Sequence, residues 1–234
     1  MVSRLLRLGA DVNARSEVYL ESEEASRLLS PGLSAEASCR PGKTPLILAA
    51  SRGNTAIVQL LLDHGADYEA HAVQIGTVLN AAACAGHDDI VRRLLERGAA
   101  IESTSRWGAT PILGASIPSI VPWGKDEIVR LANTVRLLAD HGANLEARSF
   151  FDRTPLARAA EYSSCEAAAR VLLEKGADIE ARDEQGDTPL GIAAYEGNDS
   201  LARLFIYKGP ILKARMMKAT LLFTQHLIGL PVRT

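Results

Sequence analysis

The sequence predicts an all-α solenoid: antiparallel helix pairs stacked side by side, with hairpin loops projecting from their ends. Three observations carry that prediction. A Gly-Ala dipeptide closes an apolar run at Gly9-Ala10, Gly65-Ala66, Gly98-Ala99, Gly142-Ala143 and Gly176-Ala177. A threonine, usually followed by proline, keeps the same beat at Thr44-Pro45, Thr77-Val78, Thr110-Pro111, Thr154-Pro155 and Thr188-Pro189. Between these markers the apolar residues return at helical spacing, and both Gly65 to Gly98 and Thr44 to Thr77 span 33 residues. A fixed internal period in the range of roughly 20 to 50 residues means modules that each contact only their neighbours, which favours an extended binding surface over one enclosed chamber.

Each element follows from its residues. Thr44 offers a hydroxyl to cap a helix, and Pro45 suits the first turn, where its missing N–H would have had no partner. Leu46, Ala49 and Ala50 supply one apolar face, the alanines being small enough for neighbouring helices to approach closely. Gly53 ends this short helix in a left-handed conformation. Apolar positions resume from Ile57 to Leu62, and Gly65 stops the second helix in the same way. The stretch from Gly65 to Thr77 is too short for a third helix, and its small and polar residues suit a turn or hairpin.

Composition narrows the function classes. With 47% hydrophobic residues but only 5% aromatic, alanine and leucine must fill the interior. A formal net charge of −2 gives no clustered basic face for phosphate, so direct nucleic-acid binding is not expected. Cys39, Cys84 and Cys165 are scattered and lack metal-ligand spacing, reading as reduced thiols in an intracellular protein, cytoplasmic or nuclear. Met1 to Arg7 lacks the apolar core of a secretory leader, and no apolar run approaches the roughly 20 residues of a membrane span. No paired nucleophile and base, metal cage or phosphate-cradling glycine loop is present, so neither catalysis nor a cofactor is expected. His64 and His141 hold equivalent positions, in Asp63-His64-Gly65 and Asp140-His141-Gly142, and recur because the repeat does.

Gly-x-Thr-Pro-Leu-x-x-Ala-Ala followed by Ile-Val-x-Leu-Leu-Leu-x-x-Gly-Ala-Asp, read from Gly42 to Asp67, resembles the ankyrin repeat. The pattern returns from Asn80 to Gly98, from Thr154 to Asp178 and from Gly186 to Ala194. The resemblance implies an ankyrin-repeat solenoid that recognises proteins without catalysis, through hairpin tips and the first helix of each pair along a concave face. It also implies a hydroxylation position at Asn13, for which a structural asparagine is the plainer expectation. The histidine that commonly follows Thr-Pro-Leu in the family is replaced by Ile47, Asn80, Leu113, Ala157 and Gly191, so some hydrogen bonds tying turn to helix should be lost.

The register divides the chain into a partial N-terminal repeat (1–15), an insertion at the first hairpin (16–40), four repeats over 41–208, and a degenerate partial repeat or cap (209–234). The 16–40 insertion has helical composition, and Val18, Tyr19, Leu28 and Leu29 should fold over the bare N-terminal face. A second insertion falls near 117–127, where Gly98 to Gly142 grows to 44 residues. Pro118, Pro122 and Gly124 forbid a continuous helix there and point to a loop between the two helices.

Aromatic placement supplies the candidate partner-binding residues. Trp107, Phe150 and Phe151 fall at hairpin tips where the family generally carries polar residues, Val73 and Ile75 make an apolar tip one unit earlier, and Trp123 sits on the inserted loop. Along the first helices Ser51, Arg52, Cys84, Glu161, Tyr162, Tyr195 and Glu196 should face the concavity, with Tyr162 and Tyr195 the best anchors. The expectation is a monomeric, non-enzymatic adaptor or regulator whose partner is another protein. The alternatives are a transcriptional coregulator holding a transcription factor and an accessory protein to a metabolic enzyme.

Overall fold

The computed structural model describes residues 10–15, 42–72, 74–105, 108–117, 125–149 and 151–209, with the backbone alone at 125–128. The insertion at 16–40, with Val18, Tyr19, Leu28 and Leu29, and the C-terminal segment after Gly209 lie outside the described residues.

Between Pro45 and Lys208 the described residues form five helix pairs, where the sequence reading has four units over 41–208. They are α1 (Pro45–Ser51) with α2 (Thr55–Asp63), α3 (Val78–Cys84) with α4 (Asp88–Glu96), α5 (Pro111–Ala115) with α6 (Lys125–Asp140), α7 (Pro155–Ala160) with α8 (Glu166–Glu174), and α9 (Pro189–Tyr195) with α10 (Asp199–Lys208). First helices pack in chain order, α1 on α3, α5, α7 and α9 in turn, and second helices do the same from α2 to α10. This is the all-α solenoid that the markers predict. No strand is formed among the described residues; the hairpins close by single narrow pairs, such as the isolated bridge Ala72 to Gly76 and Ser149 N–H to the Arg153 carbonyl at 3.0 Å.

Register columns explain the packing. Leu46, Leu79, Ile112 and Leu156, each two residues after the capping threonine, are wholly buried, while Leu190 at the last such position is only partly covered. In the second helices Leu61, Leu94, Leu138, Leu172 and Phe205 occupy one column four residues before the closing glycine, all buried. Full burial of such a side chain contributes roughly 2 kcal/mol. Ala50, Ala82, Ala83, Ala159, Ala160 and Ala193 are fully covered, and their small volume sets the close approach of the first helices.

The threonine caps form as expected at four of five sites. The hydroxyls of Thr44, Thr77, Thr154 and Thr188 accept from the amides of Ile47, Asn80, Ala157 and Gly191 at 3.2–3.4 Å. Thr110 makes no such bond, and its hydroxyl is buried without a partner. Two glycines are required by their neighbours as well as by φ. Gly53 (φ +73) carries the His87 ring where a Cβ would stand 2.5 Å from Cε1, and Gly86 (φ +67) lies 3.3 Å from the Leu131 amide by the same measure.

Hairpins are laced to one another by a ladder. Glu69, Glu102 and Glu146 accept from the amides of Ala100, Asn144 and Asp178 at 2.7–2.8 Å, and Asn13 takes the same role for the Asp67 amide at 2.9 Å. Asn13 is thus a rung of the scaffold. His64 and His141 likewise serve it, each donating Nδ1–H to the carbonyl four residues back, Leu60 or Leu137, at 2.8 Å.

Two expectations are not met by the structure. The expected loss of turn-to-helix bonds does not hold at Asn80, whose Oδ1 accepts from the Thr77 amide at 3.0 Å and whose Nδ2 donates to the Ser103 and Ala109 carbonyls at 3.1 Å. A buried carboxamide there ties its own cap to the next hairpin. The stretch near 117–127 is not all loop either: α6 begins at Lys125 and runs 16 residues, where α2 and α4 have nine. Its added turns cross the preceding pair at Gly86.

Candidate partner-binding surface

Among the described residues the exposed aromatics belong to the fourth and fifth pairs and their hairpins. The hairpin before α7 turns through Asp152, whose φ of 55° is the left-handed conformation that glycine supplies at Gly108 and Gly186 in the equivalent places. Arg148 holds this turn, donating to the Asp152 carbonyl at 2.7 Å and to its carboxylate at 3.4 Å. Phe151 stands at the tip, 48% exposed, with the Arg153 guanidinium 5.9 Å from its ring centroid. Tyr162, 38% exposed, follows α7; Tyr195, 90% exposed, is the last residue of α9, which packs against α7.

Beneath this row lies an ion cluster. Arg153 donates Nε–H to Asp183 at 3.0 Å and Nη1–H to Glu161 at 2.9 Å, and Arg158 reaches both oxygens of Glu161 at 2.7 and 2.9 Å. Burial would push the Asp183 carboxyl up, but the Arg153 hydrogen bond and the amides of Asp187 and Gln185 outweigh it and hold the group below the ordinary carboxylate value. Burial would likewise ease the proton off Arg153, and Asp183 and Glu161 reverse that. The cluster clamps the fourth hairpin to the fifth, where the Glu184 amide also meets the Phe151 carbonyl at 3.4 Å. It joins tip to helix end: Phe151 under Arg153, Arg153 to Glu161, and Glu161 beside Tyr162.

Of the expected site residues, Phe151, Tyr162 and Tyr195 are exposed and flank α7 and α9. Val73, Trp107, Trp123 and Phe150 lie outside the described residues. Three others are placed differently from the expectation. Ile75 packs against the core, Glu161 is committed to two arginines, and Cys84 points its sulfur at the next first helix, where a Cβ on Gly114 would stand 2.3 Å away. Sequence reasoning passed over Arg153, Arg158 and Asp183. A signal existed for one of them: Arg158 stands in a column otherwise filled by Leu48, Ala81, Gly114 and Ile192.

Neither described cysteine is an activated thiol. Burial pushes the Cys84 and Cys165 thiols up to about 11, so both stay protonated at neutral pH and are poor nucleophiles. Among the described residues no group of three or more His, Cys, Asp or Glu side chains could hold a metal ion, and no helix is long and apolar enough to cross a membrane.

No curated protein matches the sequence. The family model described as ankyrin repeats (3 copies) matches residues 18–105 and 130–216, breaking off around the inserted stretch. With well over half of its length matched and its helix pairs stacked in the order described, this chain belongs to the ankyrin-repeat family.

Proposed function

We propose that this chain is a non-catalytic adaptor or regulator that binds another protein through the aromatic row Phe151, Tyr162 and Tyr195. Ankyrin repeats generally mediate protein–protein interaction, which sets the class of function. The observation that carries the finer reading is Tyr195: a large side chain, 90% exposed, at the end of a helix packed against α7 and α10. An aromatic on a rigid support loses little conformational entropy on docking, and tyrosine and tryptophan are enriched among the residues that dominate interfaces. Scattered exposed apolar residues need no explanation, but three aromatics flanking two adjacent first helices form a patch. In this reading Val73, Trp107, Trp123 and Phe150 also contribute contacts to the partner. The chain acts as a monomer in the cytoplasm or nucleus, without nucleic-acid or membrane contacts of its own.

Affinity capture with the wild-type, Phe151→Ala and Tyr195→Ala chains tests the reading. The expected result is loss of the principal captured protein with Tyr195→Ala while the melting temperature stays within about 2 °C of wild type, since exposed substitutions seldom exceed ~0.5 kcal/mol. A captured set unchanged by both substitutions overturns it.

A further inference from the structure

We infer that the partner segment seated on this row is cationic: an extended stretch of chain carrying arginine or lysine between apolar residues. The inference rests on the protein-binding reading above and adds the chemistry of what is bound. It comes from the charges that the fold leaves uncommitted around the aromatics.

Three exposed carboxylates border the row. Glu184 stands beside Phe151, its amide donating to the Phe151 carbonyl at 3.4 Å. Glu196 directly follows Tyr195, and Asp187 precedes the cap of the same helix. None of the three forms a salt bridge with a described residue, whereas the neighbouring cations are all engaged. Arg153 and Arg158 are balanced by Glu161 and Asp183. Arg148 is held by Asp152 and by the Arg182 carbonyl at 2.6 Å, and Arg182 by the Gly186 carbonyl at 2.7 Å. On the surface, Asp152, Glu184, Asp187 and Glu196 outnumber Arg148 and Arg182 four to two, and each of these arginines spends its Nη1 on backbone carbonyls.

The register places the aromatics among these carboxylates. Tyr195 occupies, one repeat on, the column of Glu161, so Tyr162 and Tyr195 stand at the ends of adjacent first helices with Glu196 next to the outer one. A guanidinium or ammonium lying over a tyrosine face gains from the ring quadrupole, and a carboxylate alongside pairs with it. Anionic segments meet repulsion at the same place. Apolar residues between the cations would cover Phe151.

A titration of the full isotope-labelled chain, followed by amide chemical shifts, tests this with three short peptides built from Gly-Arg-Leu-Arg, Gly-Ser-Leu-Ser or Gly-Glu-Leu-Glu units. The arginine peptide should shift amides of Phe151, Tyr162, Glu184 and Tyr195, and bind at least about tenfold more tightly than the serine peptide, the glutamate peptide binding most weakly. The combined change Glu184→Gln, Asp187→Asn and Glu196→Gln should cut arginine-peptide binding about tenfold while leaving serine-peptide binding unaltered. Tyr195→Ala should weaken both. Equal binding of all three peptides at these amides, or indifference to the carboxylate changes, overturns the cationic assignment and leaves the aromatic surface standing. Shifts confined to other repeats, or none, overturn it too; the capture with Tyr195→Ala then decides separately whether the row binds protein at all.

Discussion

The two helix pairs before the pair that holds the insertion differ from the three pairs that begin with it. Before it, α1 to α4 leave no buried side-chain polar atom without a partner and no large apolar side chain exposed, among the described residues. From α5 onward the picture reverses: Thr110, Thr134, Ser149 and Arg158 each bury an unpartnered polar atom, and Val129, Phe151, Tyr162, Tyr195, Ile206 and Tyr207 are exposed. Backbone and caps are nearly the same on both sides, so the difference lies in what side chains do in equivalent columns. At Asn80 a polar residue is spent on holding the next hairpin. In the fourth pair the same position is Ala157, and the lacing passes instead to Arg153 and Asp183 beneath the aromatic row. A repeat scaffold that is locally over-satisfied at one end can carry unsatisfied groups and exposed aromatics at the other.

That contrast can be broken first at Asn80. Asn80→Ala removes two donated and three accepted bonds and leaves the Ser103 and Ala109 carbonyls and the Thr77 amide without them. A loss of about 2–4 kcal/mol is expected from the shift in urea midpoint. The laced end would then be no better satisfied than the other.

The second break uses pH. The folded-state carboxyl of Asp183 is held below its ordinary value, so its stabilising contribution is fully present above the unfolded value near ~3.9 and is lost as pH falls through the folded one. Urea midpoints for wild type should fall between pH 5 and pH 2 more steeply than those of Asp183→Asn, which keeps an oxygen for the Gln185 and Asp187 amides but does not titrate. Parallel curves would remove the ion cluster from the account.

The smallest effect sharpens the comparison from the other side. Thr134 stands in the column of Ile57 and Ile90, wholly buried with its hydroxyl unpartnered. Thr134→Val keeps the shape, discards the orphan and should raise stability by about 1 kcal/mol in thermal melts. A destabilisation of similar size would mean that the hydroxyl has a partner after all.

How much of this was legible in advance depends on the range of the interaction. Caps, helix-ending glycines and small alanine faces are local or strictly periodic, and Thr44, Gly53 and Ala50 could be assigned from spacing alone. The Thr110 cap fails although its sequence context matches the others, because the bond depends on geometry that neighbouring elements impose. Lys125 to Leu131 became helix because the proline and glycine breakers end at Gly124 and good helix formers follow. The links from Asn80 to Ala109 and from Arg153 to Asp183 join hairpins of successive repeats. A column alignment flags such residues as odd without naming their partners. Of the first-helix residues expected at the surface, Tyr162 and Tyr195 are exposed, while Glu161 and Cys84 each meet a neighbour that spacing does not reveal.

The claim at the centre of the account is that recognition belongs to the pairs beyond the insertion. Hydrogen–deuterium exchange of the full chain, alone and with its captured partner, addresses it most directly. The account predicts protection at residues 148–165 and 182–197, with amides of the helices at 45–63 and 78–96 unchanged. Protection confined to 44–100, leaving Phe151, Tyr162 and Tyr195 exchanging as in the free chain, would contradict it.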